Sequence, residues 1–569
     1  MALSEEQHGL SRGLTNYGDP DFSLYLRRSF AKSMGYSVEL LSRPVVGIAQ
    51  SASGFNNCHR HFPELVDAVK RGVLAAGGLP LDFPTISLGE IFLSPTSMMF
   101  RNLMAMDVEE MIRAQPMDAV VLIGACDKTV PALLMGAASA DRPAIQLVGG
   151  PMLPMGYHGE RLGACTDCRR FWAKYRANEI SQRDITEIEG NLATTAGSCA
   201  VMGTASTMSA IAEALGMSLP GTAAIPAVHA DRLRAAEATG ARAVALARSD
   251  LTPDKIITPG AIDNAARVLL ALGGSTNGVI HLAAIAGRLG LKFGLSRLNE
   301  LSDTTPVLAA VKPVGNEFYM EDFFAAGGVG AVLRELKPLL DLDCTTITGE
   351  TLGQRLAAEA GCYVDRRVIK TAAEPVEPRG GIVALFGTLA PDGALLKRSA
   401  ATPALFEKTA RTVVFSSLED MAARIDDPEL DVRADDIVVL QNAGPRSPAA
   451  MPEAGFLPIP KKLLALGVKD MVRISDARMS GTAYGTIVLH VAPEAAIGGP
   501  LGLVRTGDRI RLSVTERRLD LLVDQDELQR RRQALRAALP AATLRGYDKL
   551  FRDAVLQAPD GCDFDFLRG

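Results

Sequence analysis

Residues 119–125 (AVVLIGA) form a continuous apolar run without alternation, and Cys126-Asp127-Lys128 follows at once. A short run with no polar face predicts a strand covered on both sides, as in the middle of a parallel α/β sheet. Open sheets of that kind bind ligands beyond the carboxyl ends of their strands. A thiol, an acid and a lysine at that point are candidates for chemistry. A buried cysteine capping the strand, with surface charges beside it, would produce the same letters.

The rest of the first part reads the same way. Residues 44–49 (PVVGIA) predict a strand that runs into the polar loop 51–57 and Cys58, and 144–148 a strand that ends at Gly149-Gly150-Pro151. Helical spacing covers 62–76, with Leu65, Val69 and Val73 near one face, and helices are also expected over 186–192 and 204–215. The stretch 261–289 is broken by Gly273-Gly274-Ser275-Thr276-Asn277, where glycine allows a close turn and small polar side chains face whatever is bound. Proline, glycine and charge at 374–380 mark a boundary. Beyond it come short β-type runs at 381–386, 412–415, 437–440, 471–474, 510–514 and 518–523. The fold class expected is α/β, with an amino-terminal α/β/α sandwich (1–378) and a carboxy-terminal β-barrel-like domain with flanking helices (379–569). A chain of 569 residues is too long for one ordinary core, which agrees with that division.

Charge and cysteine usage remove several function classes. The formal net charge is -5 and no long basic stretch occurs, so a nucleic-acid partner is not expected. No uncharged apolar stretch reaches membrane-spanning length, and the first residues lack a positive region followed by an apolar one. The eight cysteines are sparse for so long a chain, which fits free thiols in a reducing cytoplasm better than a disulfide scaffold.

Three isolated cysteines stand in loop-like or strand-end contexts: Cys58 in the polar loop, Cys126 after the buried run, and Cys199 in Gly197-Ser198-Cys199. Soft sulfur ligands next to hard oxygen ligands suggest two metal centres in one cleft, the oxygens suiting Mg²⁺. Glu90, Asp127 and Glu453 are the acids that follow apolar stretches or lie between β elements. Each acid alone more often forms a salt bridge or faces solvent. Cys165-Thr166-Asp167-Cys168 is a rival metal or redox motif, but no second pair lies near it in sequence. Ser480 lies in the polar loop 475–482, without the glycine elbow of a serine hydrolase and with His490 ten residues on. A cation is the better activator for that serine. A nicotinamide enzyme is disfavoured because no GxGxxG opens the first domain. A protein that binds metal only for folding or sensing stays open.

Taken in order, Cys58 with His61, Gly124-Ala125-Cys126-Asp127-Lys128-Thr129, Gly197-Ser198-Cys199, 273–277, Met451-Pro452-Glu453 and 475–482 resemble the dihydroxy-acid and sugar-acid dehydratases. The resemblance runs from about Arg43 to Gly569. It implies that Cys58, Cys126 and Cys199 hold an iron–sulfur cluster, [2Fe-2S] by likeness to the sugar-acid branch, whereas three cysteines equally suit [4Fe-4S]. It further implies that Glu90, Asp127 and Glu453 bind Mg²⁺, with Lys128 carbamylated as a further oxygen ligand. Ser480 is then similar to the serine alkoxide that takes the Cα proton. His61, Ser275, Thr276, Asn277 and Thr482 are candidate substrate contacts. The family implies a homodimer or homotetramer acting on a small hydroxy acid. The loop 475–482 and the stretches 116–118, 135–139 and 203–208 resemble the arabinonate/xylonate branch. His59-Arg60 and Ala200-Val201 depart from that branch, which leaves open 2,3-dihydroxyisovalerate, the branched-chain biosynthetic substrate, or a broader range of acids.

Overall fold

A computed structural model describes residues 8–14, 16–453, 457–480, 484–538 and 544–569. Its amino-terminal half is built on four parallel strands: β1 (Val45–Gln50), β2 (Leu79–Pro84), β3 (Ala119–Gly124) and β4 (Ala144–Val148), in the order β2-β1-β3-β4. Every residue of β3 and β4 is buried, as the unbroken apolar runs predict. Helices cover both faces. Phe62–Ala75 packs on Ala230–Leu246, and Ser97–Ala114 packs on Thr129–Ala140. The first pair approaches closely through two glycines. A Cβ on Gly72 would come within 1.9 Å of Glu237 O, and one on Gly240 within 2.3 Å of Val69 O.

After a small hairpin of β5 (Met155–Tyr157) and β6 (Glu160–Leu162), the chain is largely helical as far as Leu352–Ala358. The break at 273–277 separates the helices Pro259–Ala271 and Thr276–Arg288. The carboxy-terminal half is an eight-stranded sheet made of β7 (Val383–Leu385), β8 (Gly393–Leu396), β9 (Glu407–Phe415), β10 (Ile437–Leu440), β11 (Arg473–Ser475), β12 (Ile487–Ala492), β13 (Arg509–Ser513) and β14 (Arg518–Leu521). Its order is β14-β13-β9-β10-β11-β12-β8-β7. A bridge between Phe386 and Arg518 brings the two edge strands together, so the sheet forms a nearly closed barrel flanked by helices. Successive residues of β10 fill two cores. Ile437 and Val439 belong to the barrel's own cluster, and Val438 and Leu440 to one shared with Met421, Leu457 and Leu463.

Beyond the barrel, the last residues return to the amino-terminal half. Arg101 donates to the carbonyls of Gly561 and Cys562, both at 2.8 Å. Arg288 pairs with the buried Asp563 at 2.5 Å. No helix among the described residues is long and apolar enough to cross a membrane.

Candidate active site

All four strands of the parallel sheet deliver residues to one place, beyond their carboxyl ends. β1 leads into the loop bearing Cys58 and β2 into the segment bearing Glu90. β3 leads into Cys126, Asp127 and Lys128, and β4 into Gly149 and Gly150. β1 and β3 are neighbours from which the strand order runs in opposite directions, so Cys58 and Cys126 leave the sheet at its topological switch point. Cys199 arrives from elsewhere in the chain. Ser198 N donates to Gly150 O at 3.0 Å and Met152 N to Ser198 O at 2.8 Å, which seats 197–199 beside the end of β4.

The thiols gather there. Contact with the Cys58 thiol, then burial, pushes the Cys126 thiol well up. Contact with Cys165, then burial, does the same to Cys199, and Cys58 and Cys126 add to it. Cys165 Sγ lies 2.8 Å from Cys199 Sγ. The CxxC motif, isolated in sequence, therefore meets the scattered set in space. Cys168 points its Sγ to Cys165 O at 2.9 Å.

His59 orders this cluster from behind. Its Nε2 accepts the Cys126 N–H at 3.2 Å, so its proton sits on Nδ1 and is donated to Ser51 O at 3.0 Å. Burial lowers its pKa to about 3, so the ring stays neutral and keeps this polarity. His59 is fully buried and stacks on Phe62. His61 donates from Nε2 to Gly149 O at 2.9 Å, and its buried Nδ1 has no partner among the described residues.

Acids lie beside the thiols. Glu90, Asp127 and Glu453 each offer an oxygen within 4.8 Å of the others, a grouping that could hold a metal ion. Lys128, fully buried, donates to Asp127 Oδ2 at 2.5 Å and reaches Glu90 at 3.5 Å. Arg478, also fully buried, bonds Glu90 at 2.6 Å, Glu453 at 2.9 Å and Thr96 at 2.8 Å. Burial by itself would raise Glu90, but Arg478 and Lys128 outweigh it and hold the carboxyl down to about 2. Burial and the Glu90 charge raise Glu453. Arg478 was not singled out by sequence; its only signal was a place in the polar loop 475–482.

Ser480 is half-buried and lines a small cavity with Thr276, Lys397, Met479 and Gly485. Ser275 and Asn277 are buried and engaged internally. Ser275 caps the helix Thr276–Arg288 through Asn277 N, and Asn277 Nδ2 donates to Met479 O at 3.1 Å, next to Ser480. Thr482 lies outside the described residues. Neither ring nitrogen of the buried His490 has a hydrogen-bond partner among the described residues. Lys397 was also missed by sequence, because one lysine in an apolar strand-like stretch carries no motif. Burial lowers its ammonium to about 7.

The model of the dihydroxy-acid/6-phosphogluconate dehydratase N-terminal region matches residues 43–355, and that of the C-terminal region matches 367–562. An L-arabonate dehydratase of Azospirillum brasilense is 47% identical over 97% of this chain and 96% of its own. A 6-deoxy-6-sulfo-D-gluconate dehydratase of Pseudomonas putida is 44% identical over 93% and 91%. A dihydroxy-acid dehydratase of Syntrophobacter fumaroxidans is 38% identical over 94% and 96%.

Proposed function

Since the chain belongs to the dihydroxy-acid/6-phosphogluconate dehydratase family, we propose that it removes water from C5 or C6 aldonic acids such as arabinonate or xylonate, giving 2-keto-3-deoxy acids. The observation that carries this reading is the meeting of thiols and carboxylates beyond one sheet edge, with the Ser480 loop of the barrel beside them. The donor set divides by chemistry. Cys58, Cys126 and Cys199 would hold a [2Fe-2S] cluster, and Glu90, Asp127 and Glu453 would hold Mg²⁺, with Lys128 joining them as a carbamate. Bound there, the two centres would supply Lewis acidity toward the substrate's carboxylate, its 2-hydroxyl and the departing 3-hydroxyl.

The chain's own groups would do the rest. Ser480 takes the Cα proton, hydroxide leaves from C3 with a proton as water, and the resulting enol becomes the 2-keto acid. No electron is gained or lost overall. His59 fixes the peptide of Cys126, and Asn277 fixes that of Met479 and so places Ser480. Arg478 joins the acids of the two halves, so the site forms only when barrel and sheet are docked.

The substrate branch is supported by the higher identity to enzymes named for sugar acids than to the dihydroxy-acid dehydratase. A polyol chain needs polar partners, since a buried hydroxyl left unpaired costs affinity. The test is iron, sulfide and Mg²⁺ analysis of anaerobically prepared protein, then 2-keto acid detection over a panel of aldonic acids and 2,3-dihydroxyisovalerate. Preference for 2,3-dihydroxyisovalerate would move the chain to the other branch, and active protein without iron would end the cluster assignment.

A further inference from the structure

Cys165 is not among the three proposed cluster thiols, yet it touches one of them. Cys165 Sγ lies 2.8 Å from Cys199 Sγ, and closing that gap by roughly 0.8 Å gives the length of a disulfide. The juxtaposition is built into the fold. Asp167, buried two residues on, accepts from Gly163 N at 2.8 Å, from Tyr319 Oη at 2.8 Å and from Lys312 Nζ at 3.3 Å. The same 312–320 stretch grips the Cys199 segment. Met202 N donates to Lys312 O at 2.9 Å, and Met320 N to Ala200 O at 2.8 Å. Cys165 itself is held at φ 79° and ψ -62°, a backbone conformation that L-residues rarely adopt and that persists only where its surroundings enforce it.

Cys165 and Cys199 are in contact, and Cys58 lies near enough to act on the Cys126 thiol. Three ligand thiols stripped of their cluster can form one disulfide and leave an odd sulfur open to irreversible oxidation. A fourth makes the count even.

We propose that Cys165 is a guard thiol for the cluster site, pairing with Cys199 as a reversible disulfide when the site has lost its iron and meets a peroxide. This rests on Cys199 being a cluster ligand. The step balances with hydrogen peroxide as the oxidant. One thiol takes an oxygen and releases water, forming a sulfenic acid. The other sulfur then displaces a second water as the S–S bond forms. Two thiols and one peroxide give one disulfide and two waters, and an external dithiol reverses it. Without a partner, the sulfenic acid proceeds to sulfinic and sulfonic acids, which a dithiol does not rescue.

The test uses full-length protein made anaerobically, stripped of iron by a chelator, treated with hydrogen peroxide, alkylated and digested without reduction. Peptide mass mapping is expected to find Cys165 joined to Cys199 in the native chain and in Cys168→Ser. Cys165→Ser is expected to contain as much iron and sulfide as the native chain before oxidation. After oxidation it should carry Cys199 as sulfinic or sulfonic acid and regain several-fold less iron on reduction and reloading. A Cys165–Cys168 link, or a Cys165 that stays a free thiol, overturns the proposal. So does loss of iron from Cys165→Ser before any oxidant, which would make Cys165 a ligand. Freshly made native protein without iron would count against the dehydratase reading instead, and the mapping would still decide the disulfide.

Discussion

Arg478 donates to Glu90 Oε1 at 2.6 Å across 388 residues of sequence, while its other terminal nitrogen reaches Glu453 at 2.9 Å. One guanidinium thus neutralises acids from both halves of the molecule. Arg478→Gln leaves two carboxylates facing each other without it, and breaking such a buried pair costs about 3–5 kcal/mol. The variant is expected to melt well below the native protein and to recover part of the difference in millimolar Mg²⁺, which would supply the missing charge. Melting curves unaffected by the substitution would mean that the pair contributes little.

Ser480→Ala is expected to keep iron, sulfide and Mg²⁺ at native levels and to lose about 10³-fold or more in turnover, as removal of a proton-transfer group does. Normal metal content with normal 2-keto acid formation would take Ser480 out of the mechanism.

His59→Leu keeps the bulk of the ring but leaves the buried Cys126 N–H without an acceptor, at a cost of about 1–3 kcal/mol. Lower iron content per chain is expected, measured on anaerobic protein beside His61→Leu. The His61 ring bonds Gly149 O and not a cysteine peptide, so its loss should spare the iron.

A pH effect is expected from Glu494, which lies outside the Glu90, Asp127 and Glu453 group. Burial, then the nearby Asp476 charge, raises its carboxyl from 4.5 to about 7. The folded protein therefore keeps a proton that the unfolded chain has already released. The stability this represents is fully present below pH 4.5 and is lost as pH rises through about 7. Glu494→Gln removes the titration. Its unfolding free energy relative to native should rise between pH 5 and pH 8, by an amount on the order of 2–4 kcal/mol. Parallel curves for the two proteins would refute the assignment.

The chain is expected to sediment as a homodimer or homotetramer. Tyr25, Phe30, Met34 and Val38, on and after the helix Pro20–Ser33, are 63–71% exposed, and a second subunit would cover them. A monomer at working concentration would contradict this.

Much of the architecture could be read from local pattern. Buried parallel strands such as β3 need unbroken apolar runs, and the break at 273–277 announces itself through paired glycines. Ile437–Leu440 was legible residue for residue for the same reason. Strand β8 was missed between the runs at 381–386 and 412–415, because it opens on Gly393 at φ 110°. The thiols and acids could be nominated one by one, since each stood in a strand-end or loop context. Their meeting could not. Cys165 looked like half of an isolated CxxC until the bonds from Asp167 and from 312–320 set it against Cys199. Lys397 carries no local signal and Arg478 only a place in a polar loop, because their meaning comes from what surrounds them at long range. Periodicity and turn chemistry are properties of neighbours in sequence, and the sequence by itself determined those. Which thiol touches which, and which cation sits between which acids, depends on contacts spanning tens to hundreds of residues, and only the packing of sheet, barrel and carboxy-terminal tail decided them.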